Sequence, residues 1–449
     1  MIGISSIQFL PVILLKRLDL YIRDVPQTPR ILIVGLNYSP EKTGIAPYTA
    51  SMASGLSRCG FQVRAITAHP HYPEWRILPG YGRWSQDEHL SGVSVRRLRH
   101  FVPSNPRAAR RLLSELSFGV RAVLTRWSSP SLVVVVSPAL FASAMVALRV
   151  IVAGHRVPIV VWVQDLYALG MAETGQGGRL ASRVTRWVER WLLRAADAVV
   201  VIHDRFAERI EQDFDVQRDR ITTVRNWTHL PAMSPPDVRT VRARYGWADD
   251  DIVVLHSGNM GVKQGLHNVV QAAARAASDG SHLRFVMMGD GSKREEMVRL
   301  AEQLGAPVQF LPSQRETDFI DAIQSADVLL VNELPGVSEM AVPSKLTSYF
   351  AAGRPVVAAT DTDGITAGEI RSARAGVVVP AGDARALVEA AAALGADASK
   401  ARRLGQNARE YQRSVLSETN AIDQFATLLS RLIDGDGAGK HDTHRTTID

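Results

Sequence analysis

The sequence predicts an α/β protein of two doubly wound, parallel-sheet domains facing each other across a cleft. Three observations lead there. Short Val- and Ile-rich runs alternate with stretches of helical periodicity, the pattern of parallel strands covered on both faces. The alternation stops at a proline-containing segment and starts afresh, dividing the chain in two. Finally, 449 residues with 46% hydrophobic and 22% charged side chains exceed one ordinary core, at roughly 100 to 200 residues per domain. This composition excludes wholesale disorder, collagen-like repeats and a disulfide framework. Cys59 is the single cysteine, so no internal disulfide or cysteine metal cluster forms, in keeping with a reducing compartment.

Residues 1–29 read as a leader. Phe9 to Leu15 is apolar, but Lys16 and Arg17 follow it rather than precede it, and no small-residue cleavage site appears. That is the reverse of a secretory signal, which leaves a frayed extension or a stretch lying along a membrane surface. The first domain, 30–228, opens with a strand at Arg30 to Gly35. Ile45, Tyr48, Met52, Leu56 and Cys59 then recur at helical spacing. Further strands are expected at Phe61 to Thr67, Val93 to Arg99, Leu132 to Val136, Pro158 to Gln164, Ala198 to His203 and Ile221 to Val224, with helices from Ala139 and Arg179. Leu132 to Ala153 is long enough to span a bilayer. Ser137 and Pro138 interrupt it, however, so it reads as a buried strand, a turn and a buried helix.

A linker, 229–250, holds Pro231, Pro235 and Pro236 and ends in a short helix. The second domain, 251–433, resumes with a strand at Ile252 to His256. Leu266, Val269, Val270, Ala273 and Ala277 mark the next helix. Strands follow at Leu283 to Met288, Val308 to Leu311, Asp327 to Val331, Pro355 to Ala359 and Val377 to Val379, and a final helix is free to return to the first domain. Residues 434–449 are polar and glycine-containing and read as a disordered tail.

The net charge is +7. Between Ser91 and Arg126, eight arginines face the single Glu115, so this segment accounts for the whole excess. Nucleic acid is not the expected partner, because Phe101 and Phe118 are the only interleaved aromatics and no nucleic-acid motif is present.

Ligands of doubly wound sheets sit beyond the carboxyl ends of the strands. The loop "NYSPEKTGIAPYT" places Thr43 and Gly44 at a helix entry, where unpaired backbone N–H groups can hold an anion. In "HSGNMGVKQGL", Gly258, Asn259 and Lys263 stand between a strand and a helix start, a place that suits a diphosphate. "VPSKLTSYFAAGRPVV" puts Pro343 at a first helical position, Ser344 and Lys345 in the same turn, and Gly353 at the helix end. Taken singly these are equally a tight-turn glycine and a solvated lysine; together they describe anion sites on both walls of a cleft. Asp165, in "WVQDLY", lies just past a strand end, as a reacting group or as a capping aspartate. Asp361 to Asp363 resemble a metal-binding pair but follow a second-domain strand and could as well open a helix, and the alternating His69 and His71 lack a carboxylate or cysteine to complete a set. The glycine loops lack the spacing of a dinucleotide site, so neither metal nor cofactor is expected.

The segments "NYSPEKTGIAPYT", "HPHYPEWRILPGY", "QDLY", "VRNW", "HSGNMGVKQGL", "MGDGSKR" and "VPSKLTSYFAAGRPVV", in this order, resemble the GT-B-fold, retaining glycosyltransferases of glycosyltransferase family 4. Within it the chain is most similar to bacterial colanic-acid and exopolysaccharide fucosyltransferase-type enzymes, over about Arg30 to Ile433. The resemblance implies two Rossmann-like domains and a nucleotide-diphosphate sugar donor. Thr43 and Gly44 would approach the donor phosphates, Lys263 would bind the diphosphate, Gly289 and Gly291 would admit the nucleotide, and Ser344 and Lys345 would hold phosphate or sugar. Asp165 would lie near the reacting sugar. The chain departs from the family at three places. Asn259 stands where many relatives carry an arginine, and the paired glutamates are replaced by Met340 and Ser348, with Glu339 one residue off. Arg96, Arg97, Arg99, Arg107, Arg110 and Arg111 lie in the domain that receives the acceptor. They suggest a lipid-linked saccharide and a peripheral position at the cytoplasmic membrane face. A nucleotide-sugar epimerase of the same fold and a non-catalytic binding protein are the alternatives.

Overall fold

The computed structural model describes residues 28–42, 44–105, 108–154, 157–167, 178–228, 230–231, 233–336 and 345–438. The first sheet holds β1 (Arg30–Val34), β2 (Gln62–Ala68), β3 (Ser85–Leu90), β4 (Val93–Leu98), β5 (Leu132–Val136), β6 (Ile159–Val163), β7 (Ala198–Val201) and β8 (Ile221–Thr223). Their spatial order is β3-β4-β2-β1-β5-β6-β7-β8. β5 and β6, "LVVVV" and "IVVWV", are buried along their whole length, as central parallel strands covered on both faces must be. The bilayer-length stretch at Leu132 is thus strand, turn and helix. β3 alone runs antiparallel, paired with β4 through the turn at Ser91 and Gly92, both at positive φ. No apolar run announces "SQDEHL", because a half-exposed edge strand needs none.

One face of this sheet carries α1 (Ala46–Arg58). The other carries α2 (Ala108–Leu124), α3 (Leu140–Val152), α4 (Arg179–Ala195) and α5 (Asp204–Phe214). α2 is where the sequence shows only an arginine-rich stretch.

After α6 (Val238–Tyr245) comes the second sheet: β9 (Ile252–Ser257), β10 (Leu283–Met288), β11 (Val308–Leu311), β12 (Val328–Asn332), β13 (Val356–Thr360) and β14 (Gly376–Pro380). All are parallel, in the order β11-β10-β9-β12-β13-β14. Its helices are α7 (His267–Ser278), α8 (Arg294–Leu304), α9 (Glu316–Ser325), α10 (Lys345–Ala352), α11 (Ile365–Ala373), α12 (Ala384–Ala396) and α13 (Ala398–Ser414).

The last helix, α14 (Glu418–Ala438), returns to the first domain. Ile422, Phe425, Leu428 and Leu429 are buried in the core beneath α1. Phe425 meets the edge of Trp162, which stacks on Trp227 at 6.1 Å between ring centroids. Each such side chain, fully buried, contributes about 1.5–3 kcal/mol, so α14 is a structural strap between domains. Gly55 permits its approach, since a Cβ there would lie 2.6 Å from Ile422. The helix continues to Ala438, which corrects the expectation of a disordered tail from residue 434. Residues 439–449 lie outside the described residues, as does the leader through residue 27.

Candidate functional site

In each sheet the chain reverses its winding direction at one strand: β1 lies between β2 and β5, and β9 lies between β10 and β12. Ligands of open α/β sheets gather in the crevice at such switch points. The loops leaving these two strands carry Gly44 and Lys263, so the topology itself puts both at the site.

On the second-domain wall, Lys263 sits in a one-turn 3-10 helix, Val262–Gln264, rather than directly at the start of α7. Its carbonyl accepts from the Leu334 N–H at 2.8 Å. Asn332, at the end of β12, donates to the carbonyls of Gln264 and Gly265 at 2.8 and 3.0 Å and accepts from Asn268 at 2.8 Å. A buried amide pair therefore fixes the loop that presents the lysine. Gly258 has φ +114, and a Cβ there would sit 3.9 Å from Cε of Lys345. Asn259 is exposed beside it. Gly289 and Gly291 serve this same loop: a Cβ at Gly289 would lie 2.0 Å from the Gly258 carbonyl oxygen, and one at Gly291 would lie 2.6 Å from the Met260 carbonyl oxygen. Their immediate need is thus packing of loop on loop.

Lys345 opens α10, and its Nζ stands 3.4 Å from Nε2 of His256. Burial pushes the ammonium down to about 8, opposed by Glu333. His256 is wholly buried, and burial and then Lys345 push its titration well below the ordinary histidine value, so a neutral ring faces the ammonium. Glu333 accepts from the hydroxyls of Thr360 and Thr366, the latter at 2.6 Å. Its carboxyl is nonetheless raised by burial. The position of α10 is set by Tyr349, whose hydroxyl accepts from the Ser257 N–H at 2.8 Å. Ser348 is buried in the same helix. Glu339 and Ser344 lie outside the described residues, as do Thr43 and Arg107.

On the first-domain wall, Gly44 precedes α1 at φ +66 with the Tyr72 ring alongside. The loop before it is held by buried Glu41, which accepts from the backbone N–H groups of His71 and Tyr72 at 2.7 and 2.9 Å and from Asn37 at 2.9 Å. His69 bonds the Arg83 carbonyl at 2.8 Å and His71 the His69 carbonyl at 2.9 Å, so both rings are structural. Asp165 follows β6, and its backbone carbonyl accepts from the Ser137 hydroxyl at 3.0 Å. Its side chain is open to the cleft yet crowded by both walls. That crowding raises its carboxyl to about 6, and Lys263 across the cleft opposes the rise.

Two contacts bridge the domains beside the site. Tyr48 of α1 hydrogen-bonds Thr347 of α10. Glu369 of α11 pairs with Arg225 and lies 3.3 Å from His203. Glu41, His256, Glu333 and Glu369 are not among the site residues expected from the sequence. Glu333, two residues past the end of the strand expected at Asp327 to Val331, carries a positional signal that could have found it.

The arginine segment needs correction. Arg97 is fully buried, bonded to Glu88 at 2.9 Å and to the carbonyls of Ser39 and Ala68, and stacked on Tyr81. It clamps the β3–β4 hairpin and cannot meet a membrane. Arg96 is half-buried beside Asp87. Arg99, Arg110 and Arg111 are exposed. The Asp361 carboxylate accepts from the Gly336 N–H at 3.1 Å.

Residues 43–227 match the glycosyl transferase 4-like domain and residues 237–411 match glycosyl transferases group 1. An Escherichia coli (strain K12) protein, WcaI, named as a colanic acid biosynthesis glycosyl transferase, is 30% identical over 413 residues, 88% of this chain and 98% of that protein. Anabaena HepE, solved with UDP, superposes with a TM-score of 0.64 at 17% identity, covering 89% of this chain and 99% of HepE. Sucrose-phosphate synthase from Thermosynechococcus elongatus gives 0.71 at 18% identity, covering 91% and 100%. Two Rossmann-like domains with facing switch-point loops and these matches define a glycosyltransferase of the GT-B fold. The chain belongs to glycosyltransferase family 4.

Proposed function

We propose that this enzyme moves a sugar from a nucleotide-diphosphate sugar to a lipid-linked or polysaccharide acceptor in cell-surface polysaccharide biosynthesis, with retention of configuration and without a metal ion. The observation that carries the reading is the meeting of opposite charges across the cleft: Asp165 of the first domain lies within electrostatic reach of Lys263 of the second, with Lys345 half-buried behind the same loop. A diphosphate leaving group gains charge as its bond to the sugar breaks, and preorganised cations in a crowded site stabilise that charge. Two lysines on one wall and the Gly44 helix entry on the other supply what a divalent cation supplies elsewhere. As the sugar carbon–oxygen bond breaks, its electron pair goes to the β-phosphate. The acceptor hydroxyl adds to the same face and passes its proton to the departing phosphate oxygen. Asp165, ionised, stabilises the positive character of the sugar.

Two likenesses support the choice of substrates. HepE is solved with UDP, and WcaI is named for colanic acid biosynthesis. The test is a thermal-shift panel of nucleoside diphosphates, followed by sugar transfer with the responding donor in the presence of chelator. A ligand binding the native state raises its stability. The expected result is a rise with one nucleoside diphosphate and acceptor-dependent transfer that survives chelation. Donor conversion without any acceptor would favour an epimerase, and no response to any nucleotide would remove the reading.

A further inference from the structure

The helices covering the outer face of the first sheet carry apolar residues on their solvent side. α2 packs against α3, where Gly119 comes close to Met145 and Ala142, and α3 packs against α4. Their inner surfaces fill the core with Phe118, Val146 and Leu192. Their outer surfaces expose Leu124 on α2, Leu148 and Val152 on α3, and Leu180, Val184 and Trp187 on α4. Leu148 and Val152 are four residues apart, and Leu180, Val184 and Trp187 follow the i, i+4, i+7 spacing of one helix face. Four of these six are more than two-thirds exposed: Leu124 at 77%, Val152 at 76%, Leu180 at 75% and Trp187 at 68%. Outward apolar residues on three packed helices make an exposed apolar surface of the kind a solvated layer avoids.

Charge on the same helices is one-sided. They hold nine arginines and two carboxylates. Both carboxylates are buried and bound to backbone N–H groups, Glu115 to Phe141 and Ala142 and Glu189 to Tyr167. Arg186, Arg190 and Arg194 reach the aspartates Asp213 and Asp215 at the end of α5. Arg110, Arg111, Arg179 and Arg183 are exposed and have no acidic partner among the described residues. We propose that the α2–α3–α4 face docks on an anionic lipid bilayer, with Leu180, Val184 and Trp187 entering the headgroup region and these arginines meeting lipid phosphates. A second copy of the chain fits poorly, because a two-fold contact would set the arginines against themselves. Exposed tryptophan beside arginine suits a boundary that is apolar on one side and wet on the other. What docking is for rests on the lipid-linked acceptor proposed above; docking itself does not depend on it.

The test is co-sedimentation of the full chain with neutral phosphatidylcholine vesicles and with vesicles containing about one-third phosphatidylglycerol. Two variants are compared: Arg110→Ser/Arg111→Ser/Arg179→Ser/Arg183→Ser, and Leu180→Ser/Val184→Ser/Trp187→Ser. Their circular dichroism and nucleotide thermal shift report whether each is folded. All changed residues are exposed, but should one variant unfold, the other and the salt response of the wild type still decide. The wild type should bind the anionic vesicles at least tenfold better than the neutral ones and release in about 1 M salt, where screening acts within ~3 Å. Each folded variant should lose at least tenfold in binding. Vesicle binding unchanged in a folded variant would overturn the proposal and move attachment elsewhere, such as Phe9 to Leu15. A wild type that dimerises through Trp187 and ignores vesicles would also overturn it. Loss of vesicle binding with transfer intact on a detergent-dispersed acceptor would uphold docking. Vesicle binding without transfer to any lipid acceptor would uphold docking and sink the acceptor reading alone.

Discussion

Lys263 and Asp165 face one another from different domains, and their substitutions should fail in different ways. Lys263→Ala removes a charge-assisted contact worth about 1.5–3 kcal/mol. Donor affinity, measured by titration calorimetry, should fall by roughly ten- to hundredfold with the melting temperature unchanged. Asp165→Asn keeps the shape and should lower turnover far more than donor binding. The carboxyl is raised to about 6 in the folded protein, so ionising it costs stability once pH exceeds the unfolded value near 3.9. Asp165→Asn should therefore be no less stable than the wild type at pH 7, and the wild type's own turnover should decline as pH drops through about 6. A flat profile from pH 5 to 8, or a melting temperature lowered by the substitution, would return Asp165 to a capping role. Loops that leave strand ends mark Lys263 and Asp165 as candidates in the sequence, and a place in the first turn of a helix marks Lys345. Arg97 was misread because a charge count cannot distinguish a buried clamp from a solvated face. Only the fold places Glu88 and the Ser39 carbonyl around it.

At the scale of elements, the glycine loops and the returning helix offer separate tests. Gly289 is at φ +139 with the Gly258 carbonyl where a Cβ would go. Gly289→Ala should thus displace the loop that carries Gly258 and Asn259, weakening donor binding along with a stability loss of about 1–3 kcal/mol. Donor affinity equal to wild type would show that the loop tolerates the shift. Phe425→Ala should cost about 3–5 kcal/mol in denaturant unfolding. That loss should be read in the first domain, where Phe425 packs on Trp162, although its codon lies at the far end of the chain. The parallel strands were readable because strands covered on both faces must be apolar throughout. β3 and α2 were not: one is a polar edge strand, and the other hides its inward stripe among arginines. The anchoring pairs Asn332–Asn268 and Glu333–Thr366 span 64 and 33 residues, and no local pattern announces such partners.

Across the whole molecule, the two sheets are joined by α14, the Tyr48–Thr347 contact and the Glu369 clasp on Arg225 and His203. Glu369 is nearly fully buried, so Glu369→Ala leaves Arg225, among the described residues, only the exposed Asp204 at 3.9 Å in its own domain and should loosen the domains, lowering turnover while each sheet keeps its fold. Unaltered turnover with wild-type small-angle scattering would show that α14 suffices. The central claim is that the two lysines of the second-domain wall hold one nucleoside diphosphate in the cleft. Calorimetric titration of the wild type, Lys263→Ala and Lys345→Ala with UDP, GDP and ADP tests it most directly. One nucleotide should bind the wild type, and each lysine substitution should weaken it at least tenfold without unfolding the protein. Binding of none of the three, or equal binding by all three proteins, would contradict the claim.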